Sequence, residues 1–100
     1  MSATSTAVKQ KTKQALEKPK NWKVIILNDD KTPMNFVVSI LMKIFRHSVT
    51  SAEELMMKIH LEGSAVGGVY PFEIAEAKSV ETVDLARQNG FPLQVKLESE

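Results

Sequence analysis

The order of apolar and polar positions along the chain predicts two strands and a helix with little ambiguity. Trp22 to Leu27 is rich in Trp, Val and Ile, the pattern of a strand with both faces at least partly buried. It stops at Asn28-Asp29-Asp30, where short polar side chains compete with a ladder for backbone hydrogen bonds. Phe36, Val37, Ile40, Leu41, Ile44 and Phe45 then fall on one broad helical stripe. Thr32 is placed to cap that helix, Pro33 to occupy its first position, and Arg46 and His47 to sit at its C-terminus, where positive charge is favourable. Near the end, Leu93-Gln94-Val95-Lys96-Leu97-Glu98 alternates strictly, as a half-buried strand does.

Between these lie weaker signals. Ser51 and Glu54 have the spacing of a capping box, which predicts a second helix carrying Leu55, Met56, Ile59 and His60 and ending at Gly63. Val66 to Tyr70 is short and contains two glycines, a weak strand suited to a sheet edge. Pro71 opens a third helix, with Phe72, Ala75, Ser79, Val83 and Ala86 on one face and Gly90 placed to stop it. The order β-α-α-β-α-β predicts an α+β fold: a small three-stranded antiparallel sheet packed against three helices.

Composition fixes the scale. One hundred residues allow one domain, and a 43% apolar content is enough for a small core. The longest apolar run is Val24 to Leu27, too short for a membrane helix. The absence of cysteine excludes a disulfide scaffold and a thiol nucleophile. The opening Met1 to Thr6 lacks the apolar core of a secretory signal, so a soluble, cytoplasmic protein is expected. The net charge of +1 conceals an asymmetry. Residues 1–20 hold Lys9, Lys11, Lys13, Lys18 and Lys20 against Glu17 alone, whereas residues 21–100 are mildly acidic. The division expected is a flexible basic extension over residues 1–20 and a folded domain over residues 21–100. A basic leader suits a nucleic acid or an anionic surface as well as a solvated tail, but no aromatic is interleaved with its lysines.

Catalytic chemistry finds no support. His47 and His60 are the only histidines, and no His-Glu-x-x-His, Gly-x-Ser-x-Gly or Walker pattern is present. Asp29 and Asp30 are two adjacent carboxylates, far short of a calcium loop. The chain is expected not to be an enzyme. Asn28 to Met34 reads either as a plain strand-to-helix turn or as a site whose amide and carboxylate oxygens converge on an ammonium. His60 reads as a helix-end cap or as a further member of such a site. Met34, Met56 and Met57 suit a core, or a pocket that accepts apolar side chains of varied shape.

A resemblance joins these separate signals. The string Lys23-Val24-Ile25-Ile26-Leu27-Asn28-Asp29-Asp30, then Thr32-Pro33-Met34 and Phe36-Val37, resembles the signature of the ClpS family of adaptors of the ATP-dependent Clp protease. The likeness continues through Ala52-Glu53-Glu54-Leu55-Met56, Ile59-His60, Gly63, Ala65, Gly68-Val69, Glu73 to Lys78, Ala86-Arg87 and Pro92-Leu93. It implies a bacterial N-recognin that binds N-degron substrates beginning with Phe, Tyr, Trp or Leu. It also implies delivery to an AAA+ unfoldase, ClpA or ClpC, through the unfoldase's N-domain. The same resemblance implies that Asn28, Asp30 and His60 hold the α-amine, and that Thr32, Met34, Val37, Met56, Ile59 and Leu93 line the side-chain pocket. Met34 matches the position that excludes β-branched first residues, and Ile59 stands where many members have Val. Glu73 and Lys78 match an unfoldase-docking surface, and the leader matches an extension implicated in delivery. No cofactor, metal, nucleic acid or membrane is implied, and a monomer is expected. The alternative from another class is a small nucleic-acid- or ribosome-associated protein acting through its basic leader.

Overall fold

The computed structural model describes residues 20–100; the rest of the basic leader lies outside the described residues. Six elements follow in order: β1 (Asn21–Leu27), α1 (Met34–Lys43), α2 (Val49–Glu62), β2 (Ser64–Pro71), α3 (Phe72–Gln88) and β3 (Gln94–Ser99). The strands form one antiparallel sheet in the order β2-β1-β3, so the α+β class and the β-α-α-β-α-β order are those the sequence predicts. The most apolar strand is the central one. Val24 and Ile26 are fully buried, and Ile25, between them on the opposite face, is 8% exposed.

One core joins Val24 and Ile26 to all three helices. α1 supplies Val37, Ile40 and Leu41 and is followed by Ile44 and Phe45; α2 supplies Ala52, Met56 and Ile59; α3 supplies Ala75 and Ala86. Ile26, Ile40 and Leu41 have no exposed surface, so truncating any of them to Ala costs about 2–5 kcal/mol. α1 packs on α2, α2 on β2, and α3 across all three strands.

Both early helix starts differ from expectation. Pro33, not Thr32, stands at the cap of α1 and gives no side-chain cap, because the Thr32 hydroxyl is already donated to Asp29. α2 begins three residues before the expected capping box: Ser48 is the cap and its hydroxyl accepts from the Ser51 N–H at 3.1 Å. The Ser51 hydroxyl pairs instead with His47. Gly63 ends α2 as expected, in a left-handed conformation at φ 92°. On α3 the buried positions are Ala75, Thr82 and Ala86, while Ser79 and Val83 are half-buried and Phe72 is exposed. Thr82 is tolerated there because its hydroxyl donates to the Lys78 carbonyl at 2.7 Å, as a helical Thr can to residue i−4.

The glycine pair of β2 has a structural cause. Val24 pairs with Gly68 but Ile25 pairs with Val66, so Gly67 is an extra residue, a bulge on the edge strand. A Cβ at Gly67 would lie 2.9 Å from Ile26 Cδ1 and 3.3 Å from the Phe45 ring. The Gly67 carbonyl accepts from His47 Nε2 at 2.6 Å, while His47 Nδ1 lies 3.0 Å from Ser51 Oγ. A carbonyl can only accept, so Nε2 carries the proton and, in the neutral ring, Nδ1 accepts from Ser51. His47 therefore lies past the end of α1 as a clasp between α2 and the bulge, not as a dipole partner. Arg46 beside it takes φ +65° to turn the chain.

Candidate functional site

β1, α1 and α2 meet around a cleft of about 410 Å³. Its polar side is the loop after β1, with Asn28, Asp29 and Asp30, together with His60 from the last turn of α2. Its apolar side is Met34 and Val37 from α1 with Met56 and Ile59 from α2, and Thr32 lies between the two sides in the chain. The helical spacing explains the second set: Met56, Ile59 and His60 lie three and four residues apart and so share one face.

The loop is held rigid by Asp29. One carboxylate oxygen accepts the N–H groups of Lys31 at 2.8 Å and Thr32 at 2.7 Å; the other accepts the Thr32 hydroxyl at 2.8 Å. Burial by itself pushes the Asp29 carboxyl up, but these hydrogen bonds and the charge of Arg87 together outweigh it. The carboxyl titrates below its ordinary value. A second tie runs from the Asn28 N–H to the Gly63 carbonyl at 2.9 Å, joining the loop to the end of α2 three residues beyond His60. Asp30 is exposed, and among the described residues it forms no hydrogen bond or ion pair. The outcome is a division of labour: Asp29 shapes the loop, and Asp30 keeps its charge free at the cleft.

Sequence reasoning thus names Asn28, Asp30, His60, Thr32, Met34, Val37, Met56 and Ile59, and the fold brings all eight to one cleft. It misses Asp29, whose signal is an Asp followed three residues later by Thr, the spacing of a side-chain-closed turn. Leu93 is 1% exposed and packs in the core, and beside it Arg87 donates to the Phe91 and Leu93 carbonyls at 2.8 and 2.9 Å. Glu73 and Lys78 lie in different environments. Glu73 is exposed on the first turn of α3. The Lys78 ammonium is turned inward, donating to the Ile44 carbonyl at 2.7 Å and lying 5.2 Å from the Tyr70 ring centroid.

Comparison with known proteins matches this geometry to a class. Residues 17–96 match the family model described as ATP-dependent Clp protease adaptor protein ClpS. A protein of Maricaulis maris described as ATP-dependent Clp protease adapter protein ClpS is 43% identical over 95 residues, covering 95% of this chain and 87% of that one. One of Treponema denticola with the same description is 49% identical over 80 residues, covering 80% and 79%. Among solved structures, Agrobacterium tumefaciens ClpS2 bound to L-phenylalaninamide superposes with a TM-score of 0.80 at 44% identity, covering 83% of this chain and 100% of that one. The class is therefore an adaptor of a protease, a binding protein and not itself a catalyst. The chain belongs to the ClpS family.

Proposed function

We propose that the cleft binds the N-terminus of N-degron substrates, taking the free α-amine at Asn28, Asp30 and His60 and a large hydrophobic first side chain against Met34, Val37, Met56 and Ile59. The observation that carries this reading is the junction, in one cleft, of an unpaired carboxylate with an apolar wall. The ligand of the Agrobacterium relative has the same two parts, an amine and a benzyl side chain on one carbon. An α-ammonium offers three donors and a charge, whereas an internal peptide nitrogen offers one donor and none. An internal peptide bond in the same place would leave acceptors unpaired, each at about 1–3 kcal/mol. Burying a Phe or Leu side chain contributes about 1.5–3 kcal/mol.

The adaptor then hands its cargo to the AAA+ unfoldase of the Clp protease, ClpA or ClpC, in the cytoplasm. Glu73, exposed on α3, is the proposed docking contact. Lys78 supports that surface from beneath by holding α3 to the end of α1. The test of the amine site is a peptide series that differs only in residue one, each with a free or an acetylated amine. Free Phe, Tyr, Trp and Leu peptides bind and their acetylated forms do not; equal affinity of the two forms would refute the reading.

A further inference from the structure

The outer face of α3 carries an open groove of about 650 Å³, larger than the cleft. Glu73, Glu76, Glu81 and Asp84 line it around the apolar surface of Ala77, Val80 and Leu85. Val80 is 53% exposed. The face is acidic because both cations of α3 are turned away from it. Lys78 is donated to the Ile44 carbonyl, and Arg87 to the carbonyls of Phe91 and Leu93. Among the described residues, no ion pair neutralises these four carboxylates; the ion pair found, Lys96 with Glu98 at 3.9 Å, lies on β3.

The basic leader enters the fold beside this face. Asn21 pairs with Pro71, the residue before α3, and the Trp22 and Phe72 rings meet edge to face at 5.1 Å. From Asn21 back to Lys9 the chain can reach about 40 Å when extended. The groove, from Glu73 to Gln88, is only about 22 Å long at helical rise. The leader has a net charge of +4 and the small or apolar residues Val8, Ala15 and Leu16 among its lysines. Charge, apolar content and point of entry all match the groove.

We infer that the acidic face of α3 is a docking surface for the chain's own leader. The lysines at 9, 11, 13 and 18 pair with Glu76, Glu81 and Asp84, and the leader is held along α3 in the free adaptor. The inference is independent of what the cleft binds.

Zero-length carbodiimide cross-linking of the full-length chain, mapped by mass spectrometry, tests it. Glu98 and Glu100 provide an internal control for mere proximity. They lie at the same exit, since Lys23 pairs with Glu98 and the Glu100 N–H donates to Asn21. At about 10 mM salt, cross-links from the leader lysines concentrate on Glu76, Glu81 and Asp84 over Glu98 and Glu100. At about 1 M salt, where the screening length falls to about 3 Å, their yield drops about ten-fold. A mixture of isotope-labelled and unlabelled chains shows the links to lie within one chain. The exposed triple variant E76Q, E81Q and D84N also shifts the leader's amide resonances. Links shared evenly with Glu98 and Glu100, links only between copies, unchanged yield at high salt, or leader resonances indifferent to the triple variant would each overturn the inference.

Discussion

The two histidines lie at opposite ends of α2 and have opposite fates. His47, just before the helix, has both ring nitrogens engaged, by Gly67 and Ser51. His60, in the last turn, is exposed on the cleft. The adjacent aspartates repeat the contrast: Asp29 is consumed by three hydrogen bonds and Asp30 by none among the described residues. At the His47 end polar groups are spent on holding elements together. At the His60 end one of each pair is kept free, and the free ones share a wall. A residue type alone does not distinguish a clasp from a binding group; what its atoms are already bonded to does.

Substitutions at the free group should produce the largest effect and leave stability alone. Asp30→Ala is expected to weaken binding of a Phe-initiated peptide about 100-fold, the scale of a charge-assisted hydrogen bond to a cation, with an unchanged melting temperature. Isothermal titration beside thermal unfolding checks both halves, and a binding loss matched by a drop in melting temperature would erase the contrast. The clasp should behave in the opposite way. His47→Ala is expected to cost about 1–3 kcal/mol of stability, because the Gly67 carbonyl and the Ser51 hydroxyl lose their partner, with peptide affinity unchanged in the folded protein. Gly67→Ala belongs beside it at about 1–3 kcal/mol, through the 2.9 Å approach to Ile26 Cδ1. Urea unfolding measures both.

Asp29 sharpens the comparison through pH. Its folded carboxyl titrates below the ordinary value of 3.8, so the ionised form is favoured by folding. The stability it contributes is present above that ordinary value and is lost as pH falls through the lower folded one. Asp29→Asn is expected to flatten the acid limb of the stability curve and to loosen the loop, weakening peptide binding without removing the charge at Asp30. Acid titrations of unfolding in the two proteins measure the first effect. The smallest change is one of preference. Met34 is 43% exposed and lines the cleft, and its proposed role is to exclude β-branched first residues. Met34→Ala is expected to improve binding of Ile- and Val-initiated peptides by up to about ten-fold relative to Leu, the range of a one- or two-methylene change in a pocket. An unaltered ranking in competition binding would free Met34 of that role.

The same contrast explains what was legible in the sequence. Periodicity reveals what must be buried, so β1, β3 and the α1 stripe are visible at once, and Gly63 and Pro71 announce a helix end and a helix start through backbone conformation. Choices among equivalent polar groups are not visible. Ser48, Thr50 and Ser51 can all cap, and only the position of His47 gives Ser51 other work. Thr32 could cap α1 but is taken by Asp29 three residues before it. Lys78 sits on an exposed-looking stretch of α3, and nothing local says that its ammonium crosses to a carbonyl 34 residues earlier. The Lys78 contact is distant in sequence; the others are choices among polar neighbours three or four residues apart, each of which the local sequence allows.

The bulge at Gly67 has a consequence for how copies of the protein meet. β2 is an edge strand, and a long regular edge is a template on which another chain can add its own strand. Here the repeat is interrupted after three residues, Ser64 to Val66, and resumes for only four, Gly68 to Pro71. A strand arriving in register with the first run is out of register with the second. The irregularity that lets His47 reach across also splits the β2 edge into two short runs, so crowded copies have no continuous edge along β2 on which to aggregate.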